Sequence, residues 1–260
     1  MGEHTIRLIA EGLGKSFGGV QALRNFDMAV RAREILSIIG PNGAGKTTVI
    51  NSISGVYRKD HGRVLLDGED ITQMPAHRIA RKGLARTFQN VALFRRMTVL
   101  DNLMLGRIAF TRSGVLARGL YWGLAEREEI AQREVVEHMI DYLEIDAIRH
   151  VPVGGLPLGL QKRVELGRAL VGAPKVLLLD EPMGGMNVEE KQSIVRFILD
   201  VVETTETAVI LVEHDMGVVM DISDRILVME QGAKLVEGAP EEIRNDRRVI
   251  EAYLGKEHAA

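Results

Sequence analysis

A chain of 260 residues, 46% hydrophobic and 27% charged, is long enough for one large α/β domain and is excluded from the disordered class. Its formal net charge of −3 argues against a general binder of nucleic acid or anionic membrane. Without cysteine it offers no disulfide, zinc–thiolate cluster or thiol nucleophile, which suits a reducing cytoplasm. The opening Met1-Gly2-Glu3-His4-Thr5 lacks the basic and apolar regions of a signal peptide, and no apolar run reaches the ~20 residues of a membrane span.

Ile6–Gly12 and Phe26–Val30 read as strands, with a glycine-rich turn at Phe17-Gly18-Gly19 between them. Glu34–Ile39 is an apolar run of the buried-strand type, and Val49–Ser54 can continue as a helix. Between them stands Gly40-Pro41-Asn42-Gly43-Ala44-Gly45-Lys46-Thr47-Thr48, the pattern G-x-x-x-x-G-K-[ST] in its strand–turn–helix context. Its glycines let successive backbone N–H groups converge on phosphate oxygens, and the following helix adds its positive end. Lys46 is expected to reach the β- and γ-phosphates of a nucleotide triphosphate, with the Thr47 hydroxyl on Mg²⁺.

Gly62–Gly68 alternates like an edge strand, His77–Lys82 suits a short helix, and Leu84–Phe88 is a strand ending at Gln89. From Thr98 to about Glu144 the character is helical, with Ile130, Val135, Met139, Ile140 and Leu143 close to helical spacing. Further helices are expected over Gly159–Val171, Val188–Val202 and Met216–Ser223. Buried strands are expected at Lys175–Asp180 and Thr207–Val212. Arg225–Met229 and Lys234–Val236 form a hairpin around Gln231-Gly232, and two short helices, Pro240–Arg244 and Val249–Leu254, finish the chain. The alternation predicts a layered α/β core from 1–91 and 171–260, with a helix-rich lobe, 92–170, inserted.

Asp180-Glu181 ends an apolar strand, where open parallel sheets bind ligands. Asp180 can hold Mg²⁺ through water, and Glu181 can accept a proton from the water attacking the γ-phosphate. His214 follows the next strand and can donate to the γ-phosphate and to that water. Gln89 leaves a strand in the same way, and its amide can touch the metal or the water. His61, His77, His138 and His150 share no spacing and read as surface residues, while Met216 and Met220 read as core.

In order and spacing, Gly40–Thr48, Gln89, the 156–170 stretch, Val176–Glu181, Gly185-Met186-Asn187 and His214 resemble the motif set of ATP-binding cassette (ABC) ATPases. The resemblance covers nearly the whole chain. It implies a P-loop α/β core with an antiparallel β subdomain and a helical subdomain, and binding of ATP and Mg²⁺. Phe17 is then the aromatic residue that stacks on adenine. Phe17-Gly18-Gly19, Val212-Glu213-His214-Asp215-Met216, Asp224-Arg225-Ile226, Glu237–Ile243 and Glu251–Gly255 look most like ATPase subunits of importers for branched-chain or other hydrophobic amino acids. Related sequences serve amides, urea, aromatic acids or exported lipids, because the solute never touches this subunit. Soluble ABC proteins of ribosomes or DNA repair, with two cassettes or a coiled-coil insert, fit less well.

The family's Leu-Ser-Gly-Gly-Gln signature is here Leu156-Pro157-Leu158-Gly159-Leu160, and Pro157 offers neither a hydroxyl nor an N–H. Gly159 and the helix-start N–H groups remain as donors. Since two such subunits pack head to tail in the family, the altered signature is expected to weaken the site on a partner's phosphate loop. The resemblance therefore implies a heterodimer with a second ATPase, a homodimer being the alternative, on two membrane permeases served by a solute-binding protein. Nucleic acid is not an expected partner. The working place is the cytoplasmic face of the inner membrane. Arg112–Gly123, with Tyr121 and Trp122, is either a self-packed loop or a permease contact.

Overall fold

The computed structural model describes residues 5–108 and 124–254. The Arg112–Gly123 segment lies outside them. Strands β1 (Ile6–Phe17) and β2 (Val20–Arg31) form a long antiparallel hairpin. Both run well past the lengths expected from sequence, because register shifts between Ala10 and Leu13, and between Leu13 and Lys15, break the alternation that marks a strand. With β4 (His61–Leu66) and β5 (Glu69–Asp70) they make a four-stranded sheet in the order β2-β1-β4-β5. Among the described residues only the two-residue β5 covers the outer side of β4, so its edge character largely holds.

The second sheet has six strands, ordered β10-β9-β3-β8-β7-β6. These are β3 (Ile35–Ile39), β6 (Leu84–Arg86), β7 (Val176–Asp180), β8 (Ala208–Val212), β9 (Arg225–Glu230) and β10 (Ala233–Gly238). All but β10 run parallel to their neighbours. Every residue of β3, β7 and β8 is buried, the signature of strands covered on both faces.

Alternation along these strands feeds two cores. Val176, Leu178, Ala208, Ile210 and Val212 face the core shared with α1 (Lys46–Ile53) and the antiparallel sheet. Leu177, Leu179, Val209 and Leu211 face the other core. That second core is roofed by α3 (Val99–Arg107), α4 (Leu124–Tyr142), α5 (Leu158–Leu170) and α6 (Val188–Thr204). Among the described side chains of α4, Val136 and Ile140 are buried, as is Leu143 just past its end, whereas Ile130 is 53% and Val135 37% exposed. The apolar stripe holds at Met139, Ile140 and Leu143 but runs through Val136 instead of Ile130 and Val135, because the face turned to α3 and α5 is set by packing against those helices.

Short helices complete the chain: α2 (Ala76–Arg81), α7 (Met216–Ile222), α8 (Pro240–Asn245) and α9 (Arg247–Leu254). The latter three close over Ile39, Ile226 and Val228, with Met216, Met220 and Tyr253 packed against that small core. Met216 and Met220 thus pack as core residues. His61, His77, His138 and His150 are all exposed, as expected. Asp224 and Arg225 serve as staples: Asp224 Oδ2 accepts from Ile35 N–H at 2.8 Å, and Arg225 joins Glu34 and Glu237, each at 2.9 Å. No helix among the described residues is long and apolar enough to cross a membrane.

Candidate active site

β3, β8, β7 and β6 are neighbours and point the same way, so the loops leaving their C-terminal ends share one edge of the sheet. Register makes this sharper. Ile38, Val212 and Asp180 lie in one transverse row, from which Gly40–Thr48, Glu213-His214 and Glu181 depart together.

The phosphate-loop segment turns through Gly45, at φ +104°, where an added Cβ would lie 2.6 Å from Ala22 O. Glycine alone fits both the backbone and the space. Gly45 caps α1 without a side-chain bond, so the first N–H groups of the helix face the loop. Gly40, Pro41 and Ala44 are buried, Gly45 and Thr48 half-buried, and Asn42, Gly43 and Thr47 exposed. Two braces fix the loop from outside. Ala44 O accepts from Gly232 N–H at 2.9 Å, and Gly232 O in turn accepts from Arg24 N–H at 2.8 Å. Tyr253 packs from α9 against Ile39, its hydroxyl at the Gly40 backbone and its ionisation pushed up by burial. Lys46 is 6% exposed and donates from Nζ to Gly40 O at 2.6 Å and Pro41 O at 3.3 Å.

Glu181 follows Asp180 in the left-handed region, at φ +50°. Such a non-glycine backbone costs roughly 1–3 kcal/mol and persists only where its surroundings over-determine it. Here they do. Glu181 N–H donates to Val212 O at 2.8 Å, while its carbonyl accepts from Lys162 Nζ at 2.8 Å and Gly184 N–H at 3.3 Å. The carboxylate is held at both oxygens, by His214 Nε2 at 2.6 Å and by Gln89 Nε2 at 2.9 Å. Glu213, buried beside it, accepts from Met183 N–H and His214 N–H, each at 2.9 Å. Burial draws the Lys162 ammonium below the usual lysine range, opposed by Glu165, Glu213, Glu181 and Asp180.

Asp180 is fully buried; burial pushes its carboxyl above the ordinary range, while Arg86 and Lys46 pull against that shift. Its Oδ2 accepts from Arg86 Nη2 at 3.2 Å. Its Oδ1 is buried with no hydrogen-bond partner among the described residues. An unpartnered carboxylate oxygen close to the P-loop lysine is the donor a cation would take. The described residues contain no cluster of three or more His, Asp or Glu side chains able to hold a metal. That oxygen, with the Thr47 hydroxyl in the first turn of α1, would suit Mg²⁺, which needs few protein ligands beside phosphate and water.

Phe17 closes β1 with its ring 42% exposed, edge-on to Tyr57 at 5.1 Å between centroids. Gly159 is buried in the first turn of α5, where a Cβ would strike the Glu190 carboxylate. Pro157 is the N-cap of α5 and makes no side-chain cap bond. Asn187 and Glu190 form a reciprocal capping box at the start of α6, at 2.9 and 3.0 Å.

The sequence-predicted set thus gathers Lys46, Asp180, Glu181, His214 and Gln89 around one edge. The Gln89 amide, however, is engaged with Glu181 rather than with Thr47 or Asp180. Gly159, in the first turn of α5, stands against Glu190 rather than against any of these side chains. Arg86 and Tyr57 complete the site unannounced by any motif, while Lys162 and Glu213 fall within stretches that carried the resemblance but were given no role there. Lys162 and Arg86 look like surface charges in a linear reading, and only Tyr57, a second ring near a glycine-rich loop, carried a faint signal.

Comparison with known proteins agrees with this geometry. The "ABC transporter" family profile matches residues 23–184, and a "branched-chain amino acid ATP-binding cassette transporter" profile matches residues 233–259. The chain belongs to the ABC transporter family: it binds nucleotide, and its reaction is ATP hydrolysis coupled to transport. Within that family it is 41% identical over 250 residues to the high-affinity branched-chain amino acid transport ATP-binding protein BraF of Pseudomonas aeruginosa, covering 96% of this chain and 98% of the relative. To LivG of Escherichia coli, a protein of the same description, it is 41% identical over 254 residues with the same coverage. A nucleotide-free ATP-binding cassette from an ABC transporter superposes with a TM-score of 0.83 at 33% identity, over 95% of this chain and 98% of that one.

Proposed function

We propose that this ATPase powers uptake of branched-chain or related hydrophobic amino acids, working from the cytoplasmic face of the inner membrane. The solute class rests on the profile over residues 233–259 and on the similarity to BraF and LivG. In this reading Phe17, backed by Tyr57, stacks on adenine, and Gly40–Thr48 and Lys46 bind the phosphates. Thr47 and Asp180 would hold Mg²⁺, which would supply neutralisation of phosphate charge, and Gln89, bonded here to Glu181, would reach the metal or the water. Glu181 takes the proton from the attacking water, and His214, bonded to it, contacts the γ-phosphate.

The single observation that carries the reading is the Glu181 carboxylate gripped by His214 and Gln89 at 2.6 and 2.9 Å, at the same strand edge as Lys46. A general base of this kind supplies about 10²–10⁴-fold of rate. Glu181→Gln in the complex purified with its co-expressed subunits is expected to lose hydrolysis by that order while still binding ATP. Retained turnover would remove Glu181 from the role. For the solute, uptake of radiolabelled leucine, isoleucine and valine should fall when the gene is deleted and return when it is restored.

The partners follow from two surfaces. A groove of about 650 Å³ between α2, β6, α3 and α5 exposes Phe88, Phe94 and Ile108, and suits an apolar element of a permease subunit. Residues 92–170 would move as a lobe against the core when that groove is loaded. On the signature side, Leu158 is 40% and Val188 69% exposed, and they suit a facing cassette. A solute-binding protein outside the membrane would act through the permeases.

A further inference from the structure

The Arg86 guanidinium stands at a junction that the proposed mechanism leaves unused. It is the last residue of β6, with its side chain only 10% exposed. Nη2 donates to Asp180 Oδ2 at 3.2 Å. Nη1 donates to Asn51 Oδ1 at 2.5 Å and to Ser54 Oγ at 3.3 Å, both on or at the end of the P-loop helix α1. Nε donates to Thr87 O at 3.3 Å. The planar cation also lies 4.8 Å from the centre of the Phe88 ring.

Two features of this arrangement go together. Arg86 occupies one oxygen of Asp180 and leaves the other, Oδ1, without a partner among the described residues. At the opposite end, Ser54, Arg86 and Phe88 are themselves part of the wall of the 650 Å³ groove. One rigid, forked side chain therefore touches the metal-facing acid, the P-loop helix and the docking groove. A lysine could supply the charge but not the fork.

We propose that Arg86 is a positioning residue that aims the Asp180 carboxylate at the metal and ties that aim to the shape of the Phe88 wall of the groove. This rests on the reading of Asp180 as the acid that serves the metal. An occupant that moves Phe88 changes metal affinity, and by reciprocity bound metal–nucleotide changes affinity for the occupant by the same factor.

The test is Mn²⁺ binding by electron paramagnetic resonance on the full chain, with a saturating non-hydrolysable ATP analogue. Affinity for a fluorescent ATP analogue in EDTA serves as the metal-free control. Both Arg86→Lys and Arg86→Gln are expected to weaken Mn²⁺ about fivefold or more, corresponding to roughly 1 kcal/mol, with metal-free nucleotide affinity unchanged. Phe88→Ala is expected to weaken Mn²⁺ in the same direction by about twofold. Arg86→Lys retains the buried charge and Phe88→Ala removes an exposed ring, so both guard against simple misfolding of Arg86→Gln.

Asp180→Asn separates metal binding by Asp180 from its positioning by Arg86. If it leaves Mn²⁺ affinity untouched, the metal reading itself fails. If it weakens Mn²⁺ while both Arg86 variants bind like wild type, the positioning role is overturned. Tighter binding in Arg86→Gln with Arg86→Lys unchanged would mean that Arg86 acts by charge repulsion alone, and this too overturns it. Wild-type affinity in Phe88→Ala overturns the link to the groove.

Discussion

Glu181 sits in a backbone conformation that its side chain disfavours, and the Lys162 ammonium is part of the reason it stays there. Lys162 reaches from the signature helix α5 to the Glu181 carbonyl at 2.8 Å, so a shift of that helix reaches the proposed base through one hydrogen bond. Lys162→Met keeps the buried aliphatic stem and deletes the donor. We expect kcat to fall by about 10–100-fold, the scale set by sub-ångström misplacement of a reacting group, with ATP affinity unchanged and Lys162→Arg restoring most of the rate. Nucleotide affinity falling in step with kcat would show instead that Lys162 supports the P-loop. Lys46, Glu181 and His214 were legible in the sequence because each is tied to the end of an apolar run. Lys162 and Arg86 were not, because each acquires its role from a partner 19 and 94 residues away, respectively.

Helix α9 is a distant support of the phosphate loop, since Val249 and Tyr253 pack beneath Ile39. Its start is fixed by Asp246, whose carboxylate accepts from Arg248 N–H at 2.8 Å and from Arg248 Nη2 at 2.7 Å. The Arg248 side chain is the largest influence holding the Asp246 carboxyl down, from an ordinary 3.8 to about 2. An acid whose folded pKa lies below its unfolded one adds stability above the unfolded value, and loses it as pH falls through the folded value. Wild type should therefore melt above Asp246→Asn near pH 6, with the gap closing as pH falls from about 4 toward about 2. Melting curves by circular dichroism read this directly, and a gap that widens in acid would contradict it. At this scale β3, β7 and β8 were plain in the sequence, because strands buried on both faces leave unbroken apolar runs. The β1–β2 hairpin was under-read where its register slips, and the buried face of α4 was read correctly at Met139 and Ile140 but missed at Val136. That face is chosen by α3 and α5, which local periodicity cannot see.

For the whole molecule the open question is what faces the nucleotide. The P-loop, Glu181 and His214 lie on one side of the chain's logic and the signature start on the other, and they differ in quality. Pro157 at the N-cap of α5 has no N–H, and its side chain makes no cap bond. The first helical closure is Gln161 N–H to Pro157 O at 3.0 Å, so the N–H groups of Leu158, Gly159 and Leu160 are the donors ahead of it. Gly159 is pressed against Glu190, a carboxylate unfavourable to an approaching phosphate. Each charge-assisted hydrogen bond to phosphate contributes roughly 1.5–3 kcal/mol, and a symmetric pair of these chains would omit such contacts twice. Pairing with a different cassette that carries a full signature leaves one complete site, on this chain's own P-loop, and one weakened site on the partner's. Light scattering of Glu181→Gln, in which slowed hydrolysis should trap any closed dimer, is expected to report a monomer both without nucleotide and with saturating Mg·ATP. Addition of the second cassette should then produce an ATP-dependent dimer. A clean Mg·ATP-dependent dimer of this chain alone would mean that the remaining helix-start N–H groups clamp nucleotide unaided, and the asymmetric pairing would be abandoned.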